Sequence, residues 1–233
     1  MAPASGGSDV LVGSGLRLGY GSTVALAGVD VSVAAGDVLA VTGRSGSGKS
    51  SLLYCLAGLV APDEGSVMFD GVDLARAPVD VRAAVRRRHF GFVFQFAELV
   101  PELTLRENIG LPLELNGTRG RARRARVDEL VEVLGLAEHA DRRPSRVSGG
   151  QAQRAAVARA VAHSPQVLFA DEPTGALDTQ NAELVLASLL TLAREAGTAI
   201  VLVTHDERVA ERAPARVEMR DGRAYDVTVG GRA

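Results

Sequence analysis

Two glycine-containing segments of this 233-residue chain each have the makings of a phosphate site. The first, GRSGSGKS at Gly43 to Ser50, has glycines at Gly43, Gly46 and Gly48. They let a backbone turn tightly enough for its N–H groups to converge on phosphate oxygens. The spacing puts Lys49 within reach of β- and γ-phosphates and gives Ser50 a hydroxyl that can ligate magnesium. Arg44, Ser45, Ser47 and Ser51 make up the rest of the loop and the first turn after it. The second segment is VSGGQAQR, Val147 to Arg154. Ser148 can cap a helix whose first N–H groups, at Gly149, Gly150 and Gln151, form an anion site. Glycine at position 150, inside a first turn, costs about 1 kcal/mol relative to alanine, which argues for close backbone approach by a ligand. One nucleotide needs one cradle. A second one implies a second ligand, a second subunit, or an ordinary helix cap.

Acids and a histidine recur where apolar runs end. VLFA is followed by Asp171 and Glu172. At the C-terminal edge of a parallel strand an aspartate can hold magnesium and a glutamate can orient or deprotonate an attacking water. Two acids there are also ordinary turn residues, and only the phosphate loop favours the catalytic reading. His205, closing VLVTH, reaches the same crevice, where a lone histidine is as often structural. Gln95 ends FGFVFQ in the same topological position and can offer a carboxamide to magnesium or water. Tyr20, one of three tyrosines, can stack on a base or anchor a hairpin.

The elements that must hold these residues are legible from periodicity. Alternating apolar positions in VLVGSGLRLGY and VDVSVAAGDVLAVTG predict strands, the last running into the glycine loop, with a helix from Lys49 to Gly58 after it. GSVMFDG is a short strand and FGFVFQ a strand ending at Gln95. From there to about Leu136 the pattern is helical, with Val127, Leu130, Val131 and Leu134 on one face. A helix follows Ser148, then the buried strand VLFADEP, a helix over about 180–196 stopped by Gly197, and the strand TAIVLVTHD. Strands alternating with helices indicate an α/β core with a mostly parallel sheet. Residues 1–8 read as a frayed tail, and 9–228 as one domain with a helical subdomain at about 97–163.

Composition narrows the classes. A net charge of −2 gives no general attraction to nucleic acid or anionic lipid. The arginine-rich stretches Arg86 to His89 and Arg119 to Arg126 lack interleaved aromatics, so solvated helix faces are the better reading. The single cysteine, Cys55, lies in an apolar run and reads as core. Neither a secretory leader nor a run long enough to span a bilayer is expected.

In this order the motifs resemble those of the ATP-binding cassette (ABC) ATPases, from about Val10 to Val227. GRSGSGKS is similar to their Walker A loop, FVFQ to the Q-loop, VSGGQAQR to the signature, VLFADEP to Walker B, ALD at Ala176 to Asp178 to the D-loop, and VTHD to the H-loop. Val147 stands where leucine is usual, and Ala152 where a polar residue is usual. The resemblance implies a P-loop NTPase core with an antiparallel β-subdomain and an α-helical subdomain, and ATP and Mg²⁺ as ligands. It implies Tyr20 stacked on adenine, Lys49 on phosphate, Ser50, Asp171 and Gln95 on magnesium, Glu172 as general base and His205 on the γ-phosphate. Ser148, Gly149, Gly150 and Gln151 would contact ATP held by a second cassette, with Asp178 in the D-loop beside them.

FVFQFAELVPELTLRENIGLPL with ADEPTGALD looks like the group of lipoprotein-releasing, macrolide-exporting and antimicrobial-peptide-resistance ATPases and the cell-division ATPase FtsE (MacB/LolD/FtsE-like). A separate FtsX/MacB-like membrane permease, a second copy of the chain or a related cassette, and a cytoplasmic place beneath the membrane are then expected. Nucleic acid is not an expected partner. Export and mechanotransmission are both compatible with this motif set. DNA-acting cassettes place long coiled coils between the Walker A loop and the signature, whereas 99 residues separate Lys49 from Ser148 here. A small-molecule kinase leaves SGGQ unexplained.

Overall fold

The computed structural model describes residues 9–229, with side-chain surroundings as far as residue 225; the tail expected at residues 1–8 lies outside the described residues. β1 (Asp9–Tyr20) and β2 (Thr23–Ala34) pair as a long antiparallel hairpin. The buried positions of β1 run Leu11 and Gly13, then Leu16 and Leu18. The change of phase falls at Gly15, whose φ of 61° and local register shift mark a bulge. Both halves of the strand thereby face one core. β4 (Glu64–Phe69) and β5 (Val72–Asp73) complete an antiparallel sheet of order β2-β1-β4-β5.

VDVSVAAGDVLAVTG divides between two sheets. A turn at Gly36 (φ 74°) separates β2 from β3 (Val38–Thr42), which joins the second sheet. That sheet also holds β6 (Phe90–Val93), β7 (Val167–Asp171), β8 (Ala199–Val203), β9 (Ala215–Arg220) and β10 (Arg223–Val229), in the order β10-β9-β3-β8-β7-β6. β9, β3, β8, β7 and β6 are mutually parallel and β10 is antiparallel. The chain therefore has the mixed α/β architecture the motifs imply, with one mostly parallel and one antiparallel sheet.

Strand alternation divides the interior in two. Leu168, Ala170, Ile200 and Leu202 face one core, and Val167, Phe169, Val201 and Val203 the other. The first core is closed by α3 (Leu105–Leu115), α4 (Gly120–Val133), α5 (Gly149–Val161) and α6 (Thr179–Glu195). The predicted face of α4 is buried: Val127, Leu130, Val131 and Leu134 are each 3% exposed or less. In the second core α1 (Lys49–Leu56) lies between the two sheets, with Leu52, Leu53 and Leu56 against Leu11 and Leu16 on one side and Val201 and Val203 on the other. Phe69, Phe90 and Phe169 tie the sheets edge to face, at centroid distances of 4.8 and 5.1 Å. α2 (Val79–His89) has no fully buried residue; Arg87 and Arg88 are exposed, whereas Arg82 and Arg86 are half-buried, and Arg86 donates to Gly58 O at 2.6 Å.

β6 stops at Val93, two residues before Gln95, where the strand was expected to end. Its last ladder partner is Ala170, and beyond it Phe94 O accepts from the Gln153 side chain instead of a strand. Cys55 is 1% exposed in the second core, and burial pushes its thiol up to about 12. A thiol needs to be a thiolate and accessible to react. In the native protein at mildly alkaline pH, Cys55 is expected to resist iodoacetamide, whereas the urea-unfolded chain is alkylated fully. Native alkylation at the rate of a free thiol, read by intact mass, would contradict this packing.

Candidate active site

The loop between β3 and α1 is shaped by backbone approaches that only glycine permits. At Gly48 (φ 102°) an added Cβ would lie 2.3 Å from Ala25 O, and at Gly43 (φ 133°) one would lie 2.2 Å from Met219 O. The loop is thus pinned against β2 and β9. α1 then begins with Gly48 as its N-cap, without a side-chain cap and without an acid in its first turn. Its N-terminal partial positive charge is left for a ligand. Lys49 is 8% exposed and donates to Gly43 O at 2.9 Å and Arg44 O at 3.0 Å, which folds the ammonium back over the loop.

A cavity of about 700 Å³ opens over this loop. Its walls are Tyr20 and the start of β2 on one side and Glu172 and His205 on the other, with residues 43–46 and 48–51 as the floor. Tyr20 is half exposed at the β1–β2 turn, so its ring is available to a planar ligand. Ser47 is the loop residue that turns away: it is buried and its Oγ has no partner.

Asp171 stands behind the floor. Its Oδ1 accepts from Ser50 Oγ at 3.3 Å and its Oδ2 from Tyr54 Oη at 3.2 Å. Burial pushes the Asp171 carboxyl above its ordinary value, and the neighbouring Glu172 charge acts in the same sense; the bonds from Ser50 and Tyr54 and the Lys49 charge oppose them. Tyr54 is likewise raised, by burial and then by Asp171. Tyr54 went unread in the sequence, although it lies four residues after Ser50 on α1 and so on the same helix face.

Glu172 has a φ of 50°, in the left-handed region. For a non-glycine residue this costs about 1–3 kcal/mol and persists only where surroundings enforce it. Here Glu172 N donates to Val203 O at 2.9 Å, and Glu172 O accepts from Gly175 N at 3.0 Å. The result points the carboxylate across the strand ends, where Glu172 Oε2 lies 2.6 Å from His205 Nδ1. The glutamate is largely covered and the imidazole two-thirds exposed.

Other predicted residues lie elsewhere. Gln95 is exposed in a bend after β6 and does not line the cavity. Its Nε2 would be 3.1 Å from a Cβ placed on Gly175, so it lies against the loop that follows Glu172. Ser148 caps α5 in a reciprocal box with Gln151: Ser148 Oγ accepts from Gln151 N at 3.3 Å, and Gln151 Oε1 accepts from Ser148 N at 2.9 Å. Ser148 and Gly149 are exposed and face no part of the 700 Å³ cavity. The close approach at Gly150, read from the sequence as a ligand's, is made by Asn181 of α6, whose Oδ1 would be 2.5 Å from an added Cβ. Asp178 caps α6, accepting from Asn181 N at 2.9 Å and Asn181 Nδ2 at 2.6 Å. The Asn181 backbone N–H holds the Asp178 carboxyl below its usual range. Gln153 and Asn181 had gone unread.

Comparison with known proteins accounts for this combination. A family model described as ABC transporter matches residues 26–175. The macrolide export ATP-binding/permease protein MacB 1 of Aeromonas hydrophila subsp. hydrophila is 45% identical over 213 residues, which cover 90% of this chain and 33% of that protein. MacB of Neisseria meningitidis serogroup A is 43% identical over 194 residues, covering 83% of this chain and 30% of that one. The chain spans about a third of the length of the curated relatives it matches. Two dimeric structures of the ATP-binding cassette MJ0796 superpose on it, one of them a post-hydrolysis state bound to ADP and Pi. Both are 34% identical and cover 95% of this chain and 99% of theirs, with TM-scores of 0.86 and 0.87. The chain belongs to the ABC transporter family.

The contact at Gly150 yields a test. Gly150→Ala is expected to lower the melting temperature by several degrees, since a Cβ there meets Asn181, and Asn181→Ala in the same chain is expected to recover part of the loss. Equal melting temperatures for Gly150→Ala and the parent would show that this helix–helix contact is not tight.

Proposed function

We propose that this cassette holds ATP in the cavity over the β3–α1 loop and hydrolyses it when a second cassette covers the nucleotide, driving a separate FtsX/MacB-like membrane permease. The observation that carries the reading is the division of its phosphate-site residues. The Walker A loop, Tyr20, Glu172 and His205 converge on one cavity, while the capped end of α5 presents Ser148 and Gly149 to solvent and away from it. An exposed second cradle is what a neighbouring subunit's nucleotide requires. Dimeric cassette structures among the relatives support the same arrangement.

In this reading Tyr20 stacks on the adenine and residues 43–48 wrap the phosphates. Lys49 exchanges its bonds to Gly43 O and Arg44 O for phosphate oxygens. Magnesium fits the hard oxygen donors Ser50 and Asp171, which already touch at 3.3 Å, with Gln95 brought in from its bend. It would neutralise charge on the β- and γ-phosphates. Glu172 accepts a proton from the attacking water, and His205, steadied through Nδ1, presents its other nitrogen to the γ-phosphate. Ser51 extends the α1 end beneath the phosphates. Asp178 and Gln151 hold the ends of α6 and α5 that would face the other cassette.

Among the described residues no helix is long and apolar enough to cross a membrane. The permease, on this reading, supplies the spans and places the cassette on the inner membrane face. Residues 9–228 act as one unit, with 97–163 as the helical part that meets the permease. The macrolide-export names of the relatives support a MacB-like permease.

Glu172→Gln is expected to bind ATP, to lose steady-state hydrolysis by at least about 100-fold, and to double its molar mass by light scattering when Mg-ATP is added. Normal turnover would remove Glu172 from its role, and an unchanged mass would show that closure needs another chain. Ser148→Arg is expected to leave ATP binding to the isolated subunit intact and to prevent that doubling. Loss of binding in the isolated subunit would instead place the signature on the chain's own nucleotide.

A further inference from the structure

One buried side chain outside the cavity touches both loops that carry its chemistry. Gln153, on α5, is 2% exposed. Its Nε2 donates to Phe94 O at 2.7 Å and to Pro173 O at 2.8 Å. A primary amide has two N–H groups, so both are used. Phe94 directly precedes Gln95, and Pro173 directly follows Glu172. Two loops from different strands, β6 and β7, are thus tied to a single point five residues into the helix that Ser148 caps.

The tie falls where the backbone most needs one. Glu172 sits at a φ of 50°, a conformation that neighbouring groups must impose. Val203 O fixes its N–H and Gly175 N–H its carbonyl, while Gln153 fixes the next carbonyl along. On the other loop, Arg159 adds bonds to Ala97 O and Glu98 O at 3.1 and 2.7 Å, so the segment that carries Gln95 hangs from α5 over its whole bend. No residue of the 43–51 loop bonds to Gln153; the nucleotide cradle is built without it.

We propose that Gln153 is a positioning residue: it sets Glu172 and Gln95 relative to each other and to the N-terminus of α5, and thereby governs turnover and not ATP binding. The inference rests on the roles given above to Glu172 and Gln95. A displacement of about 1 Å at a reacting group can cost on the order of 100-fold in rate. Removing both donors leaves the half-buried Phe94 carbonyl and the buried Pro173 carbonyl without their Gln153 bonds, which releases the loops.

The test is Gln153→Met in the full chain, similar in length but without donors. The expected result is a kcat lowered about 10- to 100-fold, with KM and the affinity of the isolated subunit for ATP unchanged. Gln153→His, whose Nε2–H can reach one of the two carbonyls, is expected to recover part of kcat. Gln95→Ala, combined with Gln153→Met, is expected to cost less than the product of the separate effects, because both act through one loop. A normal kcat in Gln153→Met overturns the proposal. So does loss of ATP affinity and of melting temperature in step with kcat in both variants, which marks a residue that only holds the fold. Glu172→Gln is assayed alongside. If it is inactive while Gln153→Met is normal, this inference alone fails; if it turns over normally, the base assignment fails and takes the ground of the inference with it.

Discussion

The N-terminus of α1 has no side chain to cap it, and the surrounding structure is arranged around that open end. A helix start normally recruits a hydroxyl, carboxamide or carboxylate for its free N–H groups. α5 uses Ser148 and α6 uses Asp178, but α1 begins from Gly48 alone. An uncapped end has no side-chain bond of its own to hold the helix start, so its position has to be enforced by packing. The chain enforces it from three directions: β2 through Ala25 O against Gly48, β9 through Met219 O against Gly43, and both sheets through the apolar face of α1. The long hairpin that carries Tyr20 is the same hairpin that carries Ala25. The proposed base platform and phosphate cradle are therefore fixed by one piece of backbone.

The second helix start is the converse case. The reciprocal box at α5 already satisfies the N–H groups of Ser148 and Gln151. The Ser148 hydroxyl, which accepts in that box, keeps its own proton to donate. An anion arriving there meets that hydroxyl and an exposed glycine, Gly149, where an added Cβ would touch only Leu177 Cδ2, at 4.0 Å, on a helix held from behind by Asn181 at Gly150. The capped end is pre-formed and needs no ligand to stand. Such an end can wait exposed for a nucleotide presented by another subunit, whereas an end that depended on its ligand for structure would fray.

Periodicity made the scaffold legible: the buried parallel strands VLAVT, VLFAD and AIVLV are continuous apolar runs, and the face of α4 follows from its spacing alone. The glycine loop was legible because its chemistry is written in consecutive residues. Contacts between segments distant in sequence were not. Nothing in VSGGQAQR says that Gly150 makes room for Asn181, 31 residues on, or that Gln153 reaches back to Phe94. Gly150 looked like a ligand's approach because a glycine records closeness without recording what comes close. The end of β6 was misread for a related reason. FGFVF is apolar throughout, but β6 stops one residue short of the end of β7, where the Phe94 carbonyl turns to the Gln153 side chain instead.

The pairing of Glu172 with His205 constrains how the proposed reaction can run. A carboxylate only accepts, so the proton of this 2.6 Å contact belongs to Nδ1, and Nε2 is left for whatever lies in the cavity. If His205 is neutral, Nε2 is an acceptor and repels phosphate oxygens; if it is protonated, both nitrogens donate and the ring bridges base and phosphate. Contact with a phosphate oxygen needs a donating Nε2, and the Nδ1 contact already occupies Oε2 of the proposed base. The two roles are compatible only if the water is taken by the other carboxylate oxygen, Oε1, while Oε2 stays with the imidazole. The left-handed backbone at Glu172 serves that division, because it turns the carboxylate toward the end of β8, where His205 can hold one oxygen and leave the other open.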